Sequence, residues 1–235
     1  MSTAKVKKSS LMGSAGLVSA LTALSRVLGL VREQTMAYFF GASMATDAFI
    51  TAFRIPNLLR DMFAEGALSA AFVPVFKERM VNESDEAAFS LARTVATGIL
   101  LIVGGLVLLG IVAAPVVIYL SANGFVESPE KFDLTVSLTR VMAAYLLLVS
   151  LSALVMGMLN SFGRFGLPAI APAVFNLGII ASVFALYHWL DVPVYAMAIG
   201  VLIGGLGQLM VQVPLLLKIG FRFRPAFNFL DDAVK

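Results

Sequence analysis

Four arginines lie in two neighbouring apolar stretches of the chain, where their guanidinium groups could bind an anion. Arg26 and Arg32 belong to the first stretch, and Arg54 and Arg60 to the second. The guanidinium group is a planar, permanently charged fork, and it matches the oxygens of a phosphate well. A charged side chain at the centre of a bilayer costs about 2.5–3.5 kcal/mol on insertion scales, so such residues usually serve a function. The pattern predicts a site for an anionic ligand.

The turn between the two stretches, at residues 41–46, sets the depth of these arginines. With a rise of about 1.5 Å per residue, Arg32 and Arg54 would lie about 16 Å from the turn, and Arg26 and Arg60 about 25 Å. The hydrocarbon core of a bilayer is about 30 Å thick. The spacing therefore predicts two tiers of arginine, one near the middle of the membrane and one in its far half.

Carboxylates beside the arginines offer an alternative, in which the charges pair inside the protein. Between Arg26 and the last of these carboxylates, four anions balance the four cations: Glu33, Asp47, Asp61 and Glu65. Side chains adjacent in sequence do not face each other on a helix, so we expect no direct contact between Glu33 and Arg32. Asp47 falls at the turn, two turns from Arg54, and is expected to lie in water. Both hypotheses stay open at this point.

The composition is that of a membrane protein. Of 235 residues, 60% are hydrophobic and 13% are charged, whereas soluble domains carry about a quarter charged residues. The chain has no cysteine and one histidine, which excludes disulfides and argues against a metal site, a cofactor or an enzyme. His188 lies between Tyr187 and Trp189, a pattern typical of the aromatic belt at a membrane surface.

Six apolar runs of about 20 residues or more predict an all-α integral membrane fold, a six-transmembrane-helix bundle. The runs cover about residues 11–40, 47–76, 89–120, 134–159, 167–189 and 194–219. Residues 1–219 would form one membrane lobe, followed by a polar segment at 220–235. Lysines and arginines collect on one side of this topology, and Lys131 alone falls on the other. The positive-inside rule then places both termini in the cytoplasm, and it explains the basic pI without nucleic-acid binding.

Glycines and prolines in the later runs predict how the helices pack. Glycines let membrane helices approach closely, although hinges of a moving transporter would use the same residues. The glycines concerned are Gly104, Gly105, Gly157, Gly178, Gly200, Gly204, Gly205 and Gly207. Pro115 and Pro214 lie inside apolar runs and are expected to kink their helices.

Short motifs between residues 25 and 168 resemble those of a known family. They are SRVLGLVRE at residues 25–33, FGASMATDAF at 40–49, PNLLR at 56–60, FAEGA at 63–67, AFVP at 71–74 and NSFGRFGLP at 160–168. Together they resemble the MurJ family of bacterial lipid II flippases, within the multidrug/oligosaccharidyl-lipid/polysaccharide exporter superfamily. The family has two lobes, and this chain resembles the amino-terminal lobe only, with residues 220–235 starting the linker to a missing second lobe.

The resemblance implies a function in the bacterial cytoplasmic (inner) membrane. The expected activity is to flip the undecaprenyl-pyrophosphate-linked peptidoglycan precursor, lipid II, from the inner to the outer leaflet by alternating access. Arg26, Arg32 and Arg60 match family arginines of the central cavity, and Asp47 matches an acidic residue of the periplasmic gate. Arg54 and Glu65 are expected to have supporting or gating roles. The expected partners are lipid II, membrane lipids and the second lobe, with which this lobe would share the site.

Two other functions remain open. The chain could belong to a flippase for another polysaccharide lipid or to a drug exporter of the same superfamily. The excess of arginine disfavours export of cations, which would favour carboxylates in the cavity. The chain could also be a non-transporting membrane scaffold whose charges serve assembly. Replacement of Arg32 or Arg60 by alanine would distinguish these functions, because it should abolish transport while the protein still inserts.

Overall fold

The computed structural model describes residues 2–60 and 68–228, with side chains at 16–58, 60 and 70–228. Within these ranges the chain is helical, with nine α-helices and one 3₁₀ turn. The helices are α1 (Ser2–Phe40), α2 (Met44–Arg60), α3 (Leu68–Asn82), α4 (Asp85–Ser121), α5 (Pro129–Ala143), α6 (Tyr145–Ser161), α7 (Gly166–Leu186), α8 (Tyr195–Met210) and α9 (Val213–Lys218). The 3₁₀ turn at Asn123–Glu127 joins α4 to α5.

Four segments of the described chain are long and apolar enough to cross a membrane. They are Asp85–Ser121, Pro129–Ser161, Gly166–Leu186 and Tyr195–Lys218. They coincide with the last four apolar runs of the sequence, although two of them consist of two helices each. The described residues of the first two runs contain no such segment: α2 has 17 residues, and α1 carries Arg26, Arg32 and Glu33 in its apolar part. The all-helical fold is therefore confirmed, and the count of six spans stays a prediction.

Two large clusters of buried side chains and a third, small one hold the described helices together. One cluster is aromatic at its centre, where Phe76 of α3 packs against Phe89 of α4 and Phe162 after α6. Another joins α2, α5, α6, α7 and α8, and its largest fully buried side chain is Tyr145 of α6, stacked on Phe175 at 5.1 Å. The arginine-bearing helices α1 and α2 pack against the second group, which fixes the position of their charged residues.

The glycines of α7 and α8 confirm the predicted close packing. A Cβ atom added at Gly178 would lie 2.6 Å from the Cα atom of Gly204, and one added at Gly204 would lie 2.5 Å from the carbonyl oxygen of Phe175. A side chain at either position would force the backbones apart. Among the described residues, nothing lies within 4 Å of a Cβ atom added at Gly104 or Gly105 of α4, so the packing interpretation fails for this pair within the described part of the chain.

Pro115 interrupts the hydrogen bonding of α4, and a charged residue compensates. Proline has no backbone N–H, so it leaves the carbonyl oxygen four residues earlier, that of Ile111, without its helical partner. The Nε of Arg140 on α5 donates to this oxygen at 3.1 Å. Nothing in the sequence pattern singled out Arg140, although it lies inside an apolar run.

The run that contains Pro214 is broken between α8 and α9. The backbone N–H of Gln212 donates to the oxygen of Leu209 at 3.1 Å, so the oxygen of Gln208 lacks the usual partner four residues on. The Gln212 side chain replaces that partner, since its Nε2 donates to the oxygen of Gln208 at 3.0 Å. Instead of the predicted kink, two helices meet at a turn that one glutamine side chain stabilises.

Residues after α9 return along the start of α4. Phe221 packs edge-on against Phe89, with ring centres 5.6 Å apart. The Nε of Arg93 donates to the oxygen of Arg222 at 3.0 Å, and the backbone N–H of Ala226 donates to Oγ1 of Thr97 at 3.0 Å. The beginning of the polar segment is thus held against the lobe.

Candidate functional site

A cavity of about 410 Å³ lies where α1, α2, α6, α7 and the α8–α9 turn meet. We call it the arginine cavity. Its polar lining consists of Arg32 from α1, Arg60 from α2, Ser152 from α6, Asn176 from α7, and Gln208 and Gln212 from the end of α8 and the turn. Two cations from the two arginine-bearing helices therefore face one space, as the ligand-binding hypothesis requires.

Arg32 is held by an amide from a distant helix. Its Nη1 donates to Oδ1 of Asn176 at 3.2 Å, and Nδ2 of Asn176 donates to the backbone oxygen of Ser25 at 3.2 Å. Asn176 is 8% exposed, so its amide is fixed inside the bundle. Asn176 thereby ties α7 to α1 and orients a guanidinium group whose side chain is 26% exposed.

Glu33 corrects one expectation from the sequence. Nη2 of Arg32 lies 3.4 Å from Oε1 of Glu33, so the two adjacent residues do interact. Adjacent Cβ atoms point apart on a helix, but both side chains are long enough to fold back towards each other. The Glu33 side chain is 60% exposed, and such a surface ion pair contributes about 0–1 kcal/mol. The contact leaves the Arg32 guanidinium available to a stronger anion.

A second cavity, of about 440 Å³, lies on the other side of Arg32. Its polar lining consists of Arg32, Glu33, Arg54 and Asn57, and Met197 of α8 contributes to its apolar part. Arg54 is exposed here. Because Arg32 borders both cavities, the structure brings Arg32, Arg54 and Arg60 into one neighbourhood.

Arg26 is not part of either cavity. It is exposed on α1 and precedes Arg32 by six residues, which at about 100° per residue turns it about 120° round the helix. The depth estimate included the helical rise and left out this rotation. Among the sequence-predicted arginines, Arg26 thus lies on a different face of α1.

Asp47 forms an ion pair away from the arginines. Its Oδ2 lies 2.7 Å from Nζ of Lys131, which also lies 4.0 Å from the ring centre of Phe125. The Asp47 side chain is 59% exposed, in agreement with the expectation of contact with water, and the pair ties the start of α2 to the start of α5. Asp61 and Glu65 lie outside the described residues, so their pairing with Arg60 stays a prediction.

The amides of the arginine cavity were missed by sequence reasoning. Asn176, Gln208 and Gln212 lie in apolar runs, where an uncharged amide attracts less notice than a charge. Buried amides need hydrogen-bond partners, so polar side chains inside apolar helices were the available signal. Among the described residues, no group of three or more His, Cys, Asp or Glu side chains could hold a metal ion. The described cavity offers cations and neutral amides, which suit an anion.

Comparisons with known proteins identify the family. Residues 36–235 match the family model described as lipid II flippase MurJ. Lipid II flippase MurJ of Burkholderia cenocepacia is 43% identical over 202 residues, which cover 86% of this chain and 39% of that protein. A probable lipid II flippase MurJ of Treponema pallidum is 40% identical over 230 residues, with 92% of this chain and 41% of that protein covered.

A solved structure gives the same result for the fold. The structure titled lipid II flippase MurJ, inward closed conformation, superposes with a TM-score of 0.77 and 29% sequence identity, over 93% of this chain and 45% of that one. The chain spans about two fifths of the length of the curated relatives named above. From the matched family model, the relatives and the apolar helices, the chain belongs to the MurJ family of lipid II flippases and is a multi-pass membrane protein.

Proposed function

We propose that this chain is the amino-terminal lobe of a flippase that moves lipid II from the inner to the outer leaflet of the bacterial cytoplasmic membrane. The observation that carries the proposal is the convergence of Arg32 and Arg60 on the arginine cavity. Hydrogen bonds between a guanidinium group and an anion contribute about 1.5–3 kcal/mol each. Two such groups suit the pyrophosphate that links lipid and sugar.

The other arginines would extend this path. Arg54 lines the cavity next to Arg32 and lies nearer the turn between α1 and α2. Arg26, exposed on another face of α1, would meet the headgroup on the cytoplasmic side before it reaches the cavity. A pyrophosphate could then pass from one guanidinium to the next without a long step through uncharged protein.

The proposed topology has six spans with both termini in the cytoplasm, as the loop charges indicate. The Asp47–Lys131 pair would then lie at the periplasmic end of the lobe, where Asp47 takes part in the gate. The site would be completed by a second lobe, and alternating access would come from movement of the two lobes. A lipid headgroup binds most tightly to the lobe arrangement that brings the most cations to it.

Alanine substitutions in the full-length flippase carrying this lobe test the proposal. Arg32→Ala and Arg60→Ala should abolish growth when they replace the only flippase of the cell, while their membrane levels stay unchanged. Arg164→Ala is the matched control, because Arg164 is exposed in the loop between α6 and α7 and borders neither arginine-bearing cavity. Full growth with either cavity variant would contradict the assignment and favour the scaffold alternative.

A second experiment tests how Arg32 is oriented. Asn176→Leu removes the acceptor that holds Nη1 of Arg32, so binding of lipid II should weaken about tenfold, as for the loss of one hydrogen bond to a charged group. In an Arg32→Ala background the same change should have little further effect, because Asn176 then has no guanidinium to orient. Additive losses would show that Asn176 acts independently of Arg32.

A further inference from the structure

The arginine cavity has a second kind of wall. α1 and α2 contribute its cations, whereas α6 and the end of α8 contribute three neutral hydrogen-bonding side chains, Ser152, Gln208 and Gln212. We call these three the amide wall. The two glutamines also carry amide oxygens, which can only accept hydrogen bonds and which a charged phosphate therefore cannot satisfy. The amide wall therefore needs an explanation of its own.

Gln212 has a buried oxygen to which none of the described residues donates. The residue is 1% exposed, and its Nε2 donates to Oγ of Ser152 at 2.8 Å and to the oxygen of Gln208 at 3.0 Å. These bonds fix the amide, because the opposite orientation would bring Oε1 against the oxygen of Gln208. Within the described part of the chain, no group donates to Oε1. Buried polar atoms are rarely left in this state, so Oε1 marks a position where a donor is expected.

Gln208 lies on the same face, one helical turn earlier. Residues four apart are neighbours on a helix surface, so the two glutamines present their amides together. Gln208 is partly exposed, and its side-chain amide makes no hydrogen bond to the described residues. The amide wall thus offers a buried acceptor, and beside it an amide that can both donate and accept.

The chemistry of a missing donor excludes some ligands. An ionised pyrophosphate has acceptor oxygens only, so it cannot satisfy Oε1 of Gln212. A metal cation would be repelled by Arg32 and Arg60, which line the same cavity. Hydroxyl groups and amide N–H groups are neutral donors, and they are the groups that an N-acetylated sugar carries. The cavity volume of about 410 Å³ falls in the range of about 300–1,000 Å³ that is usual for small-molecule sites.

We propose that the amide wall binds the sugar attached to the pyrophosphate, with Oε1 of Gln212 accepting from a sugar hydroxyl or N-acetyl group and Gln208 bonding beside it. The inference rests on the proposed function, since the arginines must first bind the phosphates. It assigns two roles within one cavity. Arginines from α1 and α2 bind the phosphate, and glutamines from the end of α8 and the α8–α9 turn select a phosphate that carries a sugar.

Two lipids separate these roles in the full-length flippase carrying this lobe. One is undecaprenyl pyrophosphate, and the other is the same lipid with an N-acetylated sugar on the pyrophosphate. Gln208→Leu and Gln212→Met should each weaken binding of the sugar-bearing lipid about three- to tenfold, as for one neutral hydrogen bond. Binding of undecaprenyl pyrophosphate should stay within about twofold of the unchanged protein, because the arginines are intact.

Arg32→Ala is the control that tests the proposed function separately, since it should weaken the binding of both lipids to the same extent. Gln208→Leu keeps every hydrogen bond that the described residues make through side chains, so it remains informative if Gln212→Met lowers the melting temperature. Equal weakening of both lipids by Gln208→Leu, or no weakening of the sugar-bearing lipid, would overturn the assignment of the amide wall. Loss of binding in the glutamine variants without loss in Arg32→Ala would overturn the proposed function instead.

Discussion

The bond between Arg140 and the oxygen of Ile111 predicts a coupling between two distant positions. Pro115 frees this oxygen, and Arg140 donates to it at 3.1 Å. Replacement of Arg140 by methionine should therefore destabilise the protein only while proline occupies position 115. With alanine there, a backbone N–H can reach the same oxygen, and Arg140 loses its structural role.

The magnitude follows from the kind of bond. Hydrogen bonds between helices in membranes average about 0.6 kcal/mol in double-mutant cycles, with a maximum near 1.7 kcal/mol. The donor here is charged, which roughly doubles the strength of a hydrogen bond. We therefore expect Arg140→Met to lower the free energy of unfolding by about 1–2 kcal/mol alone, and by less than about 0.5 kcal/mol in the Pro115→Ala background.

Unfolding in mixed micelles with rising fractions of denaturing detergent would measure the four free energies of this cycle. The matched control is Arg164→Met, at an exposed loop arginine, which should change the free energy of unfolding by the same amount with proline or alanine at position 115. If Arg140→Met lowers the free energy of unfolding by the same amount with proline or alanine at position 115, the Arg140 hydrogen bond does not compensate for the proline. In that case Arg140 would have another role in the membrane.

Three further predictions concern the gate, the helix packing and the driving force. Reversal of either charge of the Asp47–Lys131 pair should lower the free energy of unfolding by up to about 1 kcal/mol, and exchange of the two residues should restore it, as measured by denaturant unfolding. If the exchange restores stability but not transport, Asp47 acts in the gate through its own charge. Gly204→Ala should lower the free energy of unfolding by about 1–3 kcal/mol, because the added Cβ atom would meet a carbonyl oxygen of α7. Gly105→Ala is the control and should leave stability unchanged, so equal effects of the two changes in thermal unfolding would refute the packing argument. Collapse of the membrane potential should reduce the amount of lipid II in the periplasmic leaflet, because an inside-negative potential favours outward movement of an anion by about 2.3 kcal/mol per charge per 100 mV. An unchanged amount of periplasmic lipid II would exclude this driving force.

Sequence reasoning was most successful where one property repeats over many residues. The last four apolar runs coincide with the segments that can cross a membrane, because a bilayer demands a continuous apolar surface. The divisions inside these segments were not predictable. α5 ends at Ala143 and α6 begins at Tyr145 inside one apolar run, and the α8–α9 turn depends on the Gln212 side chain. Such details come from contacts between residues, which local hydropathy does not record.

For the site, the depth expected from residue spacing stays a prediction, and spacing alone left out the direction of each side chain. Arg32 and Arg60 reach the same cavity, whereas Arg26 lies on another face of α1 because six residues are not a whole number of turns. The partner that holds Arg32 is Asn176, which is 144 residues away in sequence. No local pattern connects two residues at that separation, so only the fold brings them together.

The hydrogen-bond partners of each charged side chain distinguish residues that hold this lobe together from residues that could bind a ligand. Arg140 donates to an oxygen that a proline has freed, and Lys131 pairs with Asp47 and lies against a ring. Both therefore have partners inside the protein. Arg32 has a neutral amide and an exposed carboxylate as partners, which leaves its charge largely uncompensated. We therefore propose that the charge of Arg32 and the Gln212 oxygen, to which no described residue donates, bind one ligand that has an anionic part and a hydroxyl- or amide-bearing part.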